Sequence, residues 1–347
     1  KMSVLISGCF GFIAKHIIHD LLDQKYKIIG TVRSQEEREK LYKQFGNNSN
    51  LTLEIVEDIR KEHAFDDVFK KHSQEIKYVL HTASPYDLET TKFTEELYKP
   101  AVFGTRAILN AIEKYGSDTV ERFVHTSSYA AIMDFETERV EGTVYTENSW
   151  NPDNWDQAQE CASRAYNGSK VLAEKEVWNF VKEKEGKVKF KVTTINPGYV
   201  LGPQTFDEDI SKKLNTSCEI INKLIHTDPS SEINPSEIYG CFVNVLDVSK
   251  AHILAFKRDE LIGKRLLMSE GRFSTQDVLD VLNEDFSVLK GKIPIGYPGT
   301  GAMHHNIGAT VDNSETHRLL NFKFKSFKET LDDTAEQNLR VENRQGH

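Results

Sequence analysis

Cysteine is scarce in this chain: four in 347 residues, Cys9, Cys161, Cys218 and Cys241, far apart and with no CxxC pair. That excludes a disulfide framework and the usual zinc spacings, and it suits a reducing compartment. Long apolar runs are missing as well. Nothing approaches the roughly 18 residues of a membrane span. The N-terminus shows no charged segment followed by an apolar run and a cleavage site, which predicts no secretory leader. A cytoplasmic location is the expectation. Positive charge is not in excess: 44 Lys+Arg stand against 53 Asp+Glu, a formal net charge of -9. A broad nucleic-acid or anionic-membrane surface is therefore excluded, but not a local basic pocket for a phosphate. No histidine or cysteine set has metal-ligand spacing, since His304 and His305 are adjacent and point apart. What is present is a hydrophobic fraction of 38%, enough to bury a core, in a length that suits two domains or one large one.

The first half alternates short apolar runs with amphipathic stretches. Strands are predicted at 4–7, 27–32, 51–56, 78–82, 122–126 and 191–196, and helices at 14–24, 35–45 and 93–115. The strands are β-branched-rich and lack polar alternation, as strands buried on both faces of a parallel sheet do. Strand–helix alternation implies right-handed crossovers and an α/β, doubly wound parallel sheet. From about residue 202 the elements shorten, with Gly and Pro punctuation at 294–299, which predicts a smaller C-terminal substrate domain. The expected division is 2–200 for the sheet domain, with 241–258 returning to it as a strand and a helix from Val248, and 201–240 plus 259–343 for the second domain.

The first strand runs into Ser7, Gly8, Cys9, Phe10, Gly11, Phe12, Ile13 and Ala14, a GxxGxxA turn opening a helix. Gly8 permits the sharp turn, Gly11 admits a pyrophosphate to the backbone N–H groups, and Ala14 allows close helix–strand packing. The helix N-terminus adds a positive dipole end. An NAD site would place Asp or Glu after the second strand. This strand ends in Arg33, with Arg38 one turn into the next helix, and a guanidinium suits a 2′-phosphate. NADP(H) is predicted over NAD(H). Asp58 and Ile59, after the third strand, are candidates for the adenine, although a plain turn aspartate fits Asp58 almost as well.

The fifth strand ends in Thr126, Ser127, Ser128 and Tyr129, and 38 residues past Ser128 comes Tyr166, with Lys170 four further on, opening a predicted helix at 171–182. Four apart on a helix means one face. A phenol near pKa 10 needs a neighbouring cation to act near neutrality. A serine hydroxyl can hold the oxygen on which charge develops.

These residues resemble the extended short-chain dehydrogenase/reductase family, in its dihydroflavonol-reductase-like branch, over nearly the whole chain. The markers are SGCFGFIAKHI, HTASPY, ERFVHTSSYAA, NSWNPDNW, AYNGSK, NPGYVLGPQ, NTSCEIIN, NEDFSVLKGKIPIGYPGTGA and FKFKSFKETLDDTA. The resemblance implies a Rossmann cofactor domain and an NADPH-dependent carbonyl reductase acting on aldehydes, 2-oxoaldehydes and ketones. It implies Ser128, Tyr166 and Lys170 as the catalytic set, Lys170 also holding the nicotinamide ribose. By position, Gly8, Phe10, Gly11, Phe12 and Ile13 match the phosphate turn and Arg33 the 2′-phosphate site. Ala83, Ser84 and Pro85 match the wall beside the cofactor, Pro197 and Val200 the nicotinamide face. Tyr86, Tyr129 and Met133 fall at substrate-pocket positions, where ordinary packing is an equal reading.

Several positions depart from the family pattern. Cys9-Phe10 replaces Ala-Asn in the glycine turn, Glu37 stands where relatives carry lysine, and Met133 and Ser163 replace larger apolar side chains. Two other readings compete with the reductase. An NAD-dependent sugar-nucleotide epimerase shares the fold, but Pro100-Ala101-Val102 replaces its Asn-Val and the second strand lacks an acid. A non-catalytic NADP-sensing regulator commonly loses the tyrosine or lysine, and both are here.

Overall fold

The chain's first strand, Ser3–Ser7, is buried at all five positions, as a strand with helices on both sides of its sheet must be. The computed structural model describes residues 2–83, 88–211, 214 and 217–345. Among these the strands are β1 (Ser3–Ser7), β2 (Lys27–Val32), β3 (Leu51–Ile55), β4 (Ile76–His81), β5 (Arg122–Thr126), β6 (Val144–Tyr145), β7 (Lys191–Pro197), β8 (Tyr199–Leu201), β9 (Tyr239–Asn244), β10 (Arg265–Met268), β11 (Gly271–Ser274) and β12 (Thr310–Val311). The α-helices are α1 (Phe12–Asp23), α2 (Gln35–Gln44), α3 (Asp66–Lys71), α4 (Gly104–Ala111), α5 (Trp155–Ala158), α6 (Ala162–Glu183), α7 (Glu219–Ile225), α8 (Val245–Lys257), α9 (Thr275–Asp285), α10 (Ser314–Leu320) and α11 (Phe327–Gln345).

Seven strands form the main sheet in the order β10-β7-β5-β4-β1-β2-β3, and the pairs β1–β2, β2–β3, β1–β4, β4–β5 and β5–β7 are parallel. The chain lays down β1 to β3 in one direction, then crosses back to place β4 on the other side of β1. That reversal opens a crevice beyond the C-terminal ends of β1 and β4, where ligands bind in doubly wound sheets. Ile17, Ile18 and Leu21 of α1 are fully buried, each stabilising by about 1.5–3 kcal/mol relative to exposure. On the other face Leu5, Ile29, Val79, Ile108, Phe123 and Val177 pack in one cluster. The predicted helix at 93–115 forms as one winding: Thr94–Phe103 and Ile112–Gly116 are π-helical around α4. Pro100 lies inside the first of these, and its missing N–H is accommodated by the wider turn.

The chain divides into two compact units, one of Lys1–Phe135, Glu147–Asn196 and Ser249–Leu266, the other of Glu136–Thr146, Pro197–Val248 and Leu267–His347. The second unit has its own core, including Leu201, Ile221, Phe242, Phe273, Leu282 and Leu331. Its sheet, β11-β9-β8, pairs β9 antiparallel to β11 and parallel to β8. This corrects one expectation. The strand expected from Cys241 to return to the main sheet is β9, and it stays in the second unit. Its apolar run is buried against that unit's own core, so burial alone did not say which sheet would take it. The main sheet's seventh strand is instead β10, at 265–268, which periodicity did not reveal because only four residues pair.

Candidate functional site

The glycine turn sits at the crevice. Gly8 has φ +67°, and a Cβ there would lie 2.8 Å from the Ala83 Cα, so the position demands glycine for its conformation and for its neighbour alike. Ser7 fastens the β1 end to the β4 end: its Oγ lies 2.7 Å from His81 Nδ1 and accepts from the amides of Thr82 and Ala83 at 3.0 and 3.2 Å. Ser7 thus shapes the crevice from behind. Gly11 is the N-cap of α1 and carries no capping side chain, which leaves the first-turn amides of Phe12, Ile13 and Ala14 without a side-chain acceptor, the donor set an anion needs. Cys9 turns inward. Its thiol meets the Ile6 carbonyl at 3.2 Å, and burial pushes it up to about 12, so it is an inert packing group. A Cβ on Gly30 would come within 2.5 Å of that sulfur, which is why β2 carries a glycine mid-strand. Phe10 lies under two ammoniums, Lys15 Nζ at 4.2 Å and Lys40 Nζ at 5.3 Å from the ring centroid. The sequence reading missed both lysines, Lys15 in α1 and Lys40 in α2, since a cation–π contact depends on where the ring turns and leaves no spacing signal.

Arg33 is 79% exposed at the end of β2, with its guanidinium 3.6 Å from Glu37 Oε2. Glu37 Oε1 also accepts the Arg33 amide at 3.0 Å, and the Glu37 amide donates to Ser34 Oγ at 3.1 Å. Glu37 is therefore a helix-capping acid that neutralises part of the charge Arg33 would offer. Arg38 donates to Gln35 Oε1. The Asp58 carboxylate takes Arg60 Nε and Nη2 at 2.9 Å each, and that hydrogen-bonded pair holds it below the usual carboxylate range. Ile59 is a spacer, its Cδ1 only 2.9 Å from where a Cβ on Gly104 would be. Ala83 stands against Gly8. Ser84, Pro85 and Tyr86 lie outside the described residues.

The second half of the site is built on α6. The helix starts at Ala162, nine residues before the predicted 171, so Tyr166 and Lys170 both lie inside it on one face. Asn167-Gly168-Ser169 imitates a helix start. Gly168 is there for another reason: a Cβ would meet the Ala158 Cβ of α5 at 2.3 Å. Lys170 is buried and donates from Nζ to the Thr126 carbonyl at 3.2 Å. Burial pulls its pKa down from 10.5 to about 8, Glu174 opposing. Ser128, two residues beyond that carbonyl, caps the short 3-10 turn Tyr129–Ala131, its Oγ accepting from the Ala130 amide at 3.0 Å. Tyr166, Ser128 and Tyr129 are each partly exposed. Met133 approaches Asn167, Sδ to Nδ2 3.9 Å. Pro197 and Val200 belong to the second unit.

The arrangement offers an uncapped helix N-terminus, a glycine cradle, Arg33 and Arg38 after β2 with Glu37 beside Arg33, and a tyrosine one helical turn from a buried lysine that bonds the strand end leading into Ser128. These groups fit a dinucleotide bearing a 2′-phosphate. The comparisons agree. The model of the 3-beta hydroxysteroid dehydrogenase/isomerase family matches residues 5–264. The chain is 52% identical over 343 residues to the NADPH-dependent methylglyoxal reductase of Saccharomyces cerevisiae, covering 99% of this chain and 100% of that one. The crystal structure of yeast methylglyoxal/isovaleraldehyde reductase complexed with NADPH superposes with a TM-score of 0.96 at 52% identity, covering 99% and 100% of the two chains. The Candida albicans counterpart in complex with NADPH gives 0.93 at 41%, covering 98% and 99%.

Proposed function

The chain belongs to the 3-beta hydroxysteroid dehydrogenase/isomerase family of extended short-chain dehydrogenases/reductases, and from that premise we propose that it is an NADPH-dependent carbonyl reductase of aldehydes, 2-oxoaldehydes such as methylglyoxal, and ketones. The observation that carries the reading is the stacking of Tyr166 and Lys170 on one face of α6, with Lys170 bonded to the strand end that leads into Ser128. The full-length likeness to NADPH-dependent reductases supports it.

In this reading the turn of Gly8, Phe10, Gly11, Phe12 and Ile13 holds the pyrophosphate, Arg33 and Arg38 the 2′-phosphate, and Asp58 and Ile59 the adenine end. Ala83 lines the cofactor, and Pro197 and Val200 back the nicotinamide. The reduced nicotinamide, when bound, supplies the hydride. Ser128 Oγ donates to the carbonyl oxygen and holds it where negative charge builds. Tyr166 delivers the proton to that oxygen, and the Lys170 ammonium eases it by stabilising the phenolate left behind. Lys170 also takes the nicotinamide ribose. Tyr129 and Met133 shape the substrate pocket. A cytoplasmic location is part of the proposal: the thiols of Cys9, Cys218 and Cys241 are buried and all four cysteines are free, and among the described residues no helix is long and apolar enough to cross a membrane.

The test is NADPH consumption with methylglyoxal, isovaleraldehyde and simple ketones, repeated with NADH. Turnover with NADPH is expected, and Tyr166→Phe should lower kcat by about 10²–10⁴-fold with NADPH binding retained. A wild-type chain that oxidises no NADPH with any carbonyl would overturn the proposal in favour of a cofactor-sensing role.

A further inference from the structure

The face of α6 that carries Tyr166 and Lys170 continues one turn on to Glu174, at the same spacing of four and fully buried. A buried carboxylate is costly unless it is paired and hydrogen-bonded, and this one is saturated. Its Oε1 accepts from Ser127 Oγ and Asn196 Nδ2, both at 2.6 Å. Its Oε2 accepts from Arg265 Nε at 2.7 Å and Trp178 Nε1 at 3.0 Å. Arg265 is anchored in turn, its guanidinium 3.7 Å from the centre of the Trp150 ring and donating to the carbonyls of Glu147 and Ser149. The same Asn196 amide reaches the Ser128 carbonyl at 3.1 Å. One carboxylate therefore gathers α6, the end of β5, β7 and β10 around the residue next to Ser128. Apolar packing would join these elements at lower risk, so the polar hub calls for a reason beyond cohesion.

We propose that Glu174 is a positioning residue for Ser128, Tyr166 and Lys170: it ties the Ser127–Ser128 strand end to the reactive face of α6 and sets a buried negative charge one helical turn from Lys170. The roles of the three residues rest on the reductase reading; the charge relation between Glu174 and Lys170 does not. Burial is what lowers Lys170, and Glu174 is the charge that opposes it. The Thr126 carbonyl accepts from that ammonium at 3.2 Å, and the titratable groups around it add no opposing charge. His81 on β4 and His125 on β5 are held neutral by burial. His252 on α8 stands beyond them with Nε2 2.7 Å from Thr126 Oγ1. Tyr166 shares its helix face, and Arg265 is bonded to Glu174 Oε2.

The experiment is an NMR titration of the full chain labelled at lysine Cε, with the Lys170 signal assigned by its loss in Lys170→Met. Wild type should titrate near 8, and Glu174→Gln should move the midpoint down by about one pH unit or more. Glu174→Asp, which keeps the charge, should restore most of the shift. Trp178→Phe, which removes a hydrogen bond without changing charge, should lower Tm and leave the midpoint in place. In kinetics, kcat of Glu174→Gln should fall about fivefold or more at pH 8, with KM for the carbonyl little changed, and recover toward lower pH. If Glu174→Gln does not fold, the paired Glu174→Gln, Arg265→Gln variant replaces it, with the same direction of shift expected. A wild-type midpoint in a folded Glu174→Gln variant overturns the proposal. A wild-type chain without carbonyl reduction would end the reductase reading and leave this titration standing.

Discussion

Glu37 is the residue on which cofactor preference turns. Its carboxylate lies 3.6 Å from the Arg33 guanidinium and accepts the Arg33 amide, so a 2′-phosphate arriving at Arg33 meets an acid already in place. At the surface such a pair is worth little by itself, but an acid next to a dianionic phosphate repels it directly. Lys15 and Lys40, gathered over Phe10, supply cations on the other side of the turn. Glu37→Lys should tighten 2′,5′-ADP binding by about ten- to hundredfold, with 5′-ADP nearly unaffected, as measured by calorimetry at two salt concentrations. The gain should shrink at high salt, because the site is exposed. Equal effects on the two nucleotides would show that Glu37 does not face the 2′ position. The residue types of this region were legible before the structure: Arg33, Arg38 and Glu37 follow the second strand in plain view. That Glu37 caps the Arg33 amide was not legible, because a hydrogen bond depends on where the first helical turn begins.

The helix α6 shows the same limit one level up. Tyr166 and Lys170 declared their shared face by spacing alone, yet the start of α6 was misplaced because Asn, Gly and Ser in a row read as a cap. Gly168 is in fact a contact surface. The α5 helix is fixed over it by a capping box between Asn154 and Gln157 and by the Trp155 indole donating to Thr94 Oγ1 at 3.1 Å. In an exposed helix Gly→Ala stabilises by about 1 kcal/mol. At Gly168 the new methyl would overlap Ala158, and overpacking costs about 1–3 kcal/mol. Gly168→Ala should therefore lower Tm by a few degrees and lower kcat as well, since α6 must shift with Tyr166 on it. A higher Tm would mean that α5 yields freely. The β9 assignment failed for a related reason: an apolar run announces that it will be buried and is silent about which core buries it, and only the pairing to β8 and β11 decides that.

For the whole molecule the consequence is a stability that depends on pH through groups buried in their neutral form. His81 is pressed down to about 3 and His125 well below its ordinary value, both by burial. Their rings stack at 5.7 Å, and neither nitrogen of His125 has a hydrogen-bond partner. In the unfolded chain each histidine takes a proton near pH 6.5, while in the folded chain neither does until far lower. Stability is therefore whole above about pH 6.5 and falls as pH drops below it, by about 1.4 kcal/mol per unit for each group. The loss precedes that of Glu75, whose pKa is brought down to about 2 by its Lys27, Ser3 and His72 partners against the opposing effect of burial and whose contribution goes only below the carboxylate range. Lys170 works at the other end: with its folded value near 8 and 10.5 as its ordinary value, stability rises between the two as the unfolded chain keeps the proton longer. His125→Leu fills the same space without two orphaned nitrogens, each of which costs about 1–3 kcal/mol when buried. It should raise Tm at pH 7. It should also reduce the proton uptake on unfolding between pH 6.5 and 5 from about two to about one, read from the slope of unfolding free energy against pH. An unchanged slope would mean that His125 takes up its proton within the folded chain, and the interior of this sheet would then have to be open to water.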